Sequence, residues 1–389
     1  LTEKRLNILF LASWYPNKVF PKNGNFVQKH AQAVSQHCNV AVLHIIANTQ
    51  DQKFEVETTD NNGVLEVIVY YKKIKGSSPI HKYQKLKRRH EAHVLGYHKV
   101  LNTIGKIDLT HLNVTYPAGL FALYLKQRHK IPYIITEHST AYLPSSTHQF
   151  SKIETKWIKK IGLNASIICP VSEGLADSIE QFGVNNTYEV VPNVVNTTIF
   201  KPTASKQASN KIRILHISNL KDEQKNITGI LNVIKKLSDL RKDFTLTILG
   251  EGNTEHYKQK AKSLKITENV IRFESEKTTT EVAKLINSND LFLLFSNYET
   301  FSVVIAEAWA CGLPVITSKC GGLTETITKE NGIQVKVGDE AELLNQLNTM
   351  LNQITTYNPE VISTQFGNKF SYETVGNTFL TIYKRTLQI

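Results

Sequence analysis

Residues 297–307 read NYETFSVVIAE and place two carboxylates, Glu299 and Glu307, eight positions apart around a mostly apolar run. Spacing alone carries no chemistry, because Glu268 and Glu276 stand equally far apart in ENVIRFESE without any supporting pattern. The context of the first pair differs. DLFLLFSNYE reads as a strand and turn, and FSVVIAEAWACG reads as a helix stopped by Gly312 and Pro314. Ser302 takes the N-cap position, so the first turn offers the N–H groups of Ser302, Val303 and Val304 to an anion. Glu307 follows about 7.5 Å along the axis, with its side chain directed back toward the helix start. The order is carboxylate, anion site, carboxylate, over about 12 Å if every step were helical. A nucleotide-sugar has a matching order of hexose hydroxyls, diphosphate and ribose hydroxyls. Glycosidase carboxylates stand about 5–9.5 Å apart, which fits this spacing poorly.

The elements that must hold these residues alternate along the whole chain. Apolar strand-like runs occur at 7–12, 40–46, 65–71, 107–112, 132–136, 166–172 and 188–192. A second set follows at 211–218, 244–250, 270–273, 290–296, 313–318 and 332–335. Helical periodicity separates most of them, as in FVQKHAQAVSQH, where Phe26, Val27, His30, Ala33 and Val34 share a face. This predicts an α/β protein of two Rossmann-like, doubly wound parallel sheets. The polar stretch 201–211 predicts the boundary, giving one domain over 1–200 and a second over 201–370. The amphipathic segment 371–389 is expected to pack back on the first domain. Ligands of open α/β sheets bind at the carboxyl ends of the strands, and a cleft between two such domains is the expected pocket.

ETFSVVIAEAWACGLPVITSKCGGLTE resembles the E-x7-E region of the family-4 glycosyltransferases of the GT-B fold. The shared features are Glu307-Ala308, Gly312 to Val315, Gly321-Gly322 and Glu325. VVPNVVNTTIFKP resembles the family's interdomain signature at Pro192, Asn193, Phe200 and Pro202, with Val194 in place of a Gly and Asn196 in place of an Asp. The resemblance implies a retaining, metal-independent hexosyltransferase without a cofactor. The nucleotide-diphosphate sugar, UDP- or GDP-linked, would be co-substrate. A glycan or lipid-linked hydroxyl of cell-envelope or polysaccharide synthesis would be the acceptor, bound by the domain over 1–200, with the donor on the domain over 201–370.

By that resemblance Glu299 contacts the donor sugar, Lys225 neutralises the diphosphate and His138 reaches the sugar or its phosphate. These three form the catalytic set. Donor contacts fall to Glu307 on the ribose and to Phe301, Ser302, Val303, Asn219, Gly250, Gly252 and Gly24. Asn219 stands where the family carries an Arg, so Lys221 or backbone amides would supply the missing charge. The alternative is a non-catalytic two-lobed nucleotide-sugar or sugar binder.

Lys and Arg total 46 against 34 Asp and Glu, a net charge of +12. That favours an anionic partner, and no zinc spacing, helix-turn-helix or RNP-type motif directs it to nucleic acid. Residues 81–97 interleave Lys82, Lys85, Lys87, Arg88 and Arg89 with Tyr83, Leu86 and Tyr97, so 82–89 would suit an anionic membrane surface. The four cysteines are scattered, which argues against a disulfide framework or metal site. With no run of 18 apolar residues and no signal-peptide cleavage site, the expected location is the cytoplasm or the inner face of the membrane.

Overall fold

The computed structural model describes residues 5–203 and 209–389. The chain divides into two compact units. One comprises residues 1–194 with 372–389, and the other residues 195–371.

The first unit is built on seven strands: β1 (Asn7–Ala12), β2 (Asn39–Asn48), β3 (Phe54–Asn61), β4 (Val64–Lys72), β5 (Leu109–Asn113), β6 (Tyr133–Glu137) and β7 (Ile168–Pro170). Their order is β3-β4-β2-β1-β5-β6-β7, all parallel except the antiparallel β3–β4 pair. Strand β1 is buried on both faces, which is why it reads as an unbroken apolar run. Strand β3, FEVETTDN, is a largely exposed edge strand and lacks that signature. It is joined to β4 by the two-residue turn Asn62-Gly63, both with positive φ, the usual chemistry of a tight hairpin.

The predicted strand at 188–192 is corrected to a single bridge between Tyr188 and Ile168. Pro170 and Pro192 have no N–H to extend a ladder there.

Helix Tyr372–Leu387 packs on helix Asn25–Ser35, burying Val375, Phe379, Ile382 and Tyr383. A Cβ on Gly376 would lie 2.4 Å from the Ala33 carbonyl oxygen, so the two backbones approach closely. Each large apolar side chain buried there contributes about 1.5–3 kcal/mol.

The second unit carries β8 (Ile212–Ser218), β9 (Phe244–Gly250), β10 (Ile271–Glu274), β11 (Leu291–Leu294), β12 (Val315–Ser318) and β13 (Gly332–Val335). The order is β10-β9-β8-β11-β12-β13, all parallel. Ile230, Ile234 and Leu237 of helix Ile227–Leu240 and Leu347 and Met350 of helix Glu340–Asn352 close its core with Phe244, Leu246 and Leu293. The first residue of this unit is Val195, six positions before the expected boundary, because the Val195 amide donates to the Phe370 carbonyl within it (2.8 Å). Part of the predicted linker, 204–208, lies outside the described residues.

Candidate active site

In the second unit, the order β9-β8-β11-β12 lines up the loops after four strands along one sheet edge. The loop after β11 is stitched to the one-turn helix Asp222–Lys225 that follows β8. The Asn297 amide donates to Gln224 O (2.7 Å), and Asn297 Nδ2 donates to Glu223 O (2.9 Å). This brings the Lys225 ammonium onto Oε1 of Glu299 in a buried ion pair. Ser296 Oγ donates to the same oxygen at 2.8 Å. Glu299 and Glu307 are only 7% and 8% exposed, a burial uncommon for glutamate.

Gly321 presses against the Glu299 backbone. Its φ is +90°, and a Cβ there would stand 1.9 Å from Glu299 O. Cys320 Sγ reaches Ser296 O at 3.1 Å from the same loop. The loop after β12 therefore fixes the turn that presents Glu299.

Ser302 then adopts φ 68° and ψ 69°, a left-handed conformation costing a non-glycine residue about 1–2 kcal/mol. It turns the chain into helix Val303–Ala310, and no side chain caps the helix start. That end therefore keeps donors for an anion. Phe301 is buried edge-on to Phe370, so its backbone is what it can offer a ligand. Val303 is half-buried in the first turn, and Glu307 is buried in the second.

Asn219, Gly250 and Gly252 form a neighbouring group. Gly250 ends β9 where a Cβ would lie 2.3 Å from Ser218 O, and a Cβ on Gly252 would lie 3.3 Å from Asn219 O. Asn219 is exposed and accepts the Lys221 amide at 3.2 Å, so no guanidinium replaces the expected Arg. Glu325 is exposed on a short 3-10 turn.

In the first unit, Gly24 begins helix Asn25–Ser35 with φ +70°, and a Cβ there would meet the Trp14 carbonyl at 2.4 Å. Only glycine fits. The loop before it is anchored by Glu66, which accepts from Tyr15 Oη (2.6 Å), Gln28 Nε2 (2.9 Å) and Asn61 Nδ2 (2.9 Å). Burial and the nearby Glu66 charge push the Tyr15 hydroxyl far above its usual range.

His138 follows β6 and is buried, its ring 4.3 Å from that of Phe26 and 5.3 Å from that of His30. Glu137 holds its backbone. One carboxylate oxygen accepts the amides of His138 (2.8 Å) and Ser139 (2.9 Å), and the other accepts the Thr115 amide (2.9 Å) and hydroxyl (2.7 Å). Burial depresses the His138 pKa well below the ordinary imidazole value and holds His30 at about 4. Of the neighbours of His138 only the Asn193 side chain favours the protonated ring, and neither ring nitrogen meets a partner at full hydrogen-bond geometry. His30 Nε2 lies 3.1 Å from Pro192 O.

The structure thus brings Glu299, Lys225, Ser302 and Gly321 together in one unit, and Gly24, Phe26 and His138 together in the other. Sequence reading missed Ser296, Glu66 and the cradle made by Glu137. Glu66 left a signal as a lone acid in the apolar run LEVIVYY. Of the two departures in the 190–202 signature, Val194 is buried without a positive φ, so no glycine is required. Asn196 Oδ1 accepts from the amide and hydroxyl of Thr198, so it still caps its turn.

The model of the glycosyl transferases group 1 matches residues 198–358, and that of glycosyltransferase family 4 matches residues 24–199. An uncharacterised glycosyltransferase of Methanocaldococcus jannaschii is 24% identical over 350 residues, 85% of this chain and 90% of that protein. The N-acetyl-alpha-D-glucosaminyl L-malate synthase of Bacillus anthracis is 26% identical over 254 residues, 62% of this chain and 64% of the enzyme. Among solved structures, the sucrose-phosphate synthase of Thermosynechococcus elongatus superimposes with a TM-score of 0.77 at 17% identity, covering 99% of this chain and 100% of that one. HepE of Anabaena in complex with UDP gives 0.72 at 18% identity, covering 98% and 100%.

Proposed function

The chain belongs to the family-4 glycosyltransferases and has their GT-B fold, and from that premise we propose that it moves a hexosyl unit from a UDP-sugar to a hydroxyl of a glycan or lipid-linked acceptor with retention of configuration. HepE, a structural neighbour, was solved with UDP, which favours that nucleotide over GDP. The observation that carries the reading is the Lys225–Glu299 pair beside an uncapped helix start.

An ammonium has three N–H groups, and the pair with Glu299 engages Lys225 while leaving donors for a diphosphate. The helix start at Ser302 adds backbone donors and a positive dipole end. Both favour the charge that grows on the leaving diphosphate, the step where fixed donors contribute most. Glu299, held by Ser296 and Gly321, is set to grip hexose hydroxyls, and Glu307 grips the ribose. The acceptor hydroxyl attacks from the face that the diphosphate leaves. The departing phosphate oxygen takes its proton, so no protein nucleophile and no metal is needed. His138, neutral at pH 7, donates or accepts a hydrogen bond at the sugar without adding charge. The exposed Lys82, Tyr83 and Leu86 of helix Pro79–Ile104 hold the protein at an anionic surface where such acceptors lie.

A thermal-shift series with UDP-, GDP- and ADP-sugars tests the donor. Stabilisation of about 2.7 kcal/mol is expected at a hundredfold excess over Kd for the true donor. Product NMR in the presence of a chelator then tests retention and metal independence. No shift with any nucleotide-sugar, or an inverted anomer, would overturn the reading.

A further inference from the structure

Helix Lys152–Asn164 is apolar on two sides. Ile158, Ile161 and Gly162 face inward and are buried, and a Cβ on Gly162 would lie 2.3 Å from Val184. That side already supplies what packing against the first unit requires. The outer side nevertheless carries Ile153, Trp157 and Leu163, which are 70%, 36% and 57% exposed. At 3.6 residues per turn, positions 153, 156, 157, 160, 163 and 164 fall in one stripe about 120° wide. Lys156 and Lys160 lie within it and Lys152 at its border, all exposed, and the Lys160 ammonium stands 5.2 Å from the Trp157 ring centre. The helix has one acid, Glu154. It points off the stripe and is engaged by Ser151 in a capping box.

Charge decides the occupant. Two copies of this stripe would set lysine against lysine, with no acid on either to answer. An anionic lipid surface answers both features at once: phosphates for the lysines, and the headgroup boundary for a tryptophan flanked by aliphatic side chains.

We propose that the outer face of helix Lys152–Asn164 seats the first unit on an anionic phospholipid surface, through Ile153, Trp157 and Leu163 bordered by Lys152, Lys156 and Lys160. This deepens the reading of a lipid-linked acceptor and rests on it. The helix follows β6 as helix Pro79–Ile104 follows β4, and both strands are parallel. The two helices therefore begin at the same end of one sheet. The second helix adds its own exposed Ile80, Tyr83 and Leu86. The surface has two footholds rather than one.

The test uses the full chain with phosphatidylglycerol–phosphatidylcholine vesicles, phosphatidylcholine vesicles as control, and brominated acyl chains as quencher. Of the three tryptophans, Trp309 is fully buried and Trp14 half-buried, so quenching reports Trp157. Binding to the anionic vesicles with a blue shift and bromine quenching is expected, and the optical signal is lost in Trp157→Phe. A lysine near an anionic surface contributes about fivefold to partitioning, so Lys156→Glu with Lys160→Glu lowers it by roughly 25-fold or more. Ile153→Ser with Trp157→Ser lowers it several-fold, with unchanged circular dichroism. Equal binding by these variants, with loss only in Lys82→Glu/Lys87→Glu, overturns the proposal and assigns the contact to the other helix alone. A dimer abolished by Ile153→Ser overturns it in favour of a second copy. A UDP-sugar thermal shift on the same samples separates the two readings. A normal shift without lipid binding fails the docking alone, and lipid binding without any shift fails the donor assignment alone.

Discussion

Lys225 and Glu299, 74 residues apart in the chain, form a buried ion pair on a carboxylate oxygen that also accepts the Ser296 hydroxyl. The side chains are 12% and 8% exposed, so removing one partner leaves a charge with little water to receive it. Lys225→Met and Glu299→Leu are each expected to destabilise the fold by up to about 3 kcal/mol, and the double variant by less than their sum. The functional losses should part company. Glu299→Leu keeps UDP binding and loses transfer, whereas Lys225→Met weakens UDP binding as well. Denaturant titration and calorimetry on the four proteins check this, and identical binding losses for both single variants would remove the division of roles.

Glu307 lies in the second turn of helix Val303–Ala310, buried to 8% exposure, behind the helix end that would receive the diphosphate. A carboxylate gripping a pair of ribose hydroxyls contributes about 1.5–3 kcal/mol. Glu307→Ala is therefore expected to weaken UDP roughly tenfold to a hundredfold in calorimetry, and to weaken a 2′,3′-dideoxy analogue far less. Equal weakening of both ligands would show that the ribose is held elsewhere.

Gly321 and Gly338 share a positive φ, +90° and +73°, but not their surroundings. A Cβ on Gly321 would stand 1.9 Å from Glu299 O, while nothing lies within 4 Å of one on Gly338. Gly338→Ala should cost only the left-handed strain of about 1–2 kcal/mol and keep transfer. Gly321→Ala adds a clash that only movement of the Glu299 turn relieves. A larger fall in Tm and loss of transfer are expected, with UDP affinity less affected than the rate. If the two variants behave alike, Gly321 does not position Glu299.

The parts of this fold legible in the sequence were those whose chemistry is local. Strand β1 is buried on both faces and so spells itself as NILFLA, and the amphipathic segment expected over 371–389 forms helix Tyr372–Leu387. Strand β3 was not legible from apolar pattern because its side chains face water. The Asn62-Gly63 turn was the signal that could have revealed it. At the site, the relation of Ser302 to Glu307 follows from helix geometry, whereas Glu299 stands in the turn before the helix, whose path is set by the left-handed Ser302 and by Gly321. The pairing of Lys225 with Glu299 does not follow from helix geometry either, since it depends on β8 and β11 being neighbours, and strand order is a tertiary fact. The same holds for His138, whose ring neighbours Phe26 and His30 come from the first helix.

Buried imidazoles set the response to acid. Desolvation holds His30, His44 and His216 at about 4 and His93 at about 3, against an ordinary 6.5. His30 donates through Nε2 to Pro192 O, and His44 and His216 donate through Nδ1 to Ala12 O and Leu293 O, bonds that a neutral ring satisfies without a charge to solvate. Between pH 6.5 and 4 the unfolded chain binds protons at these rings that the folded chain refuses. Stability therefore rises with pH through that window, is fully present above it, and is lost as pH falls through it. Each ring contributes about 1.4 kcal/mol per pH unit there, a sizeable fraction of the 5–15 kcal/mol of an ordinary domain. Urea midpoints are expected to be level from about pH 8 to 7 and to fall steeply toward pH 5. His216→Asn should flatten that slope by close to one proton, whatever its effect on absolute stability. A midpoint unchanged between about pH 7 and 5 would mean that these rings take up protons in the folded protein, and with that the neutral state assigned to His138 would fall too.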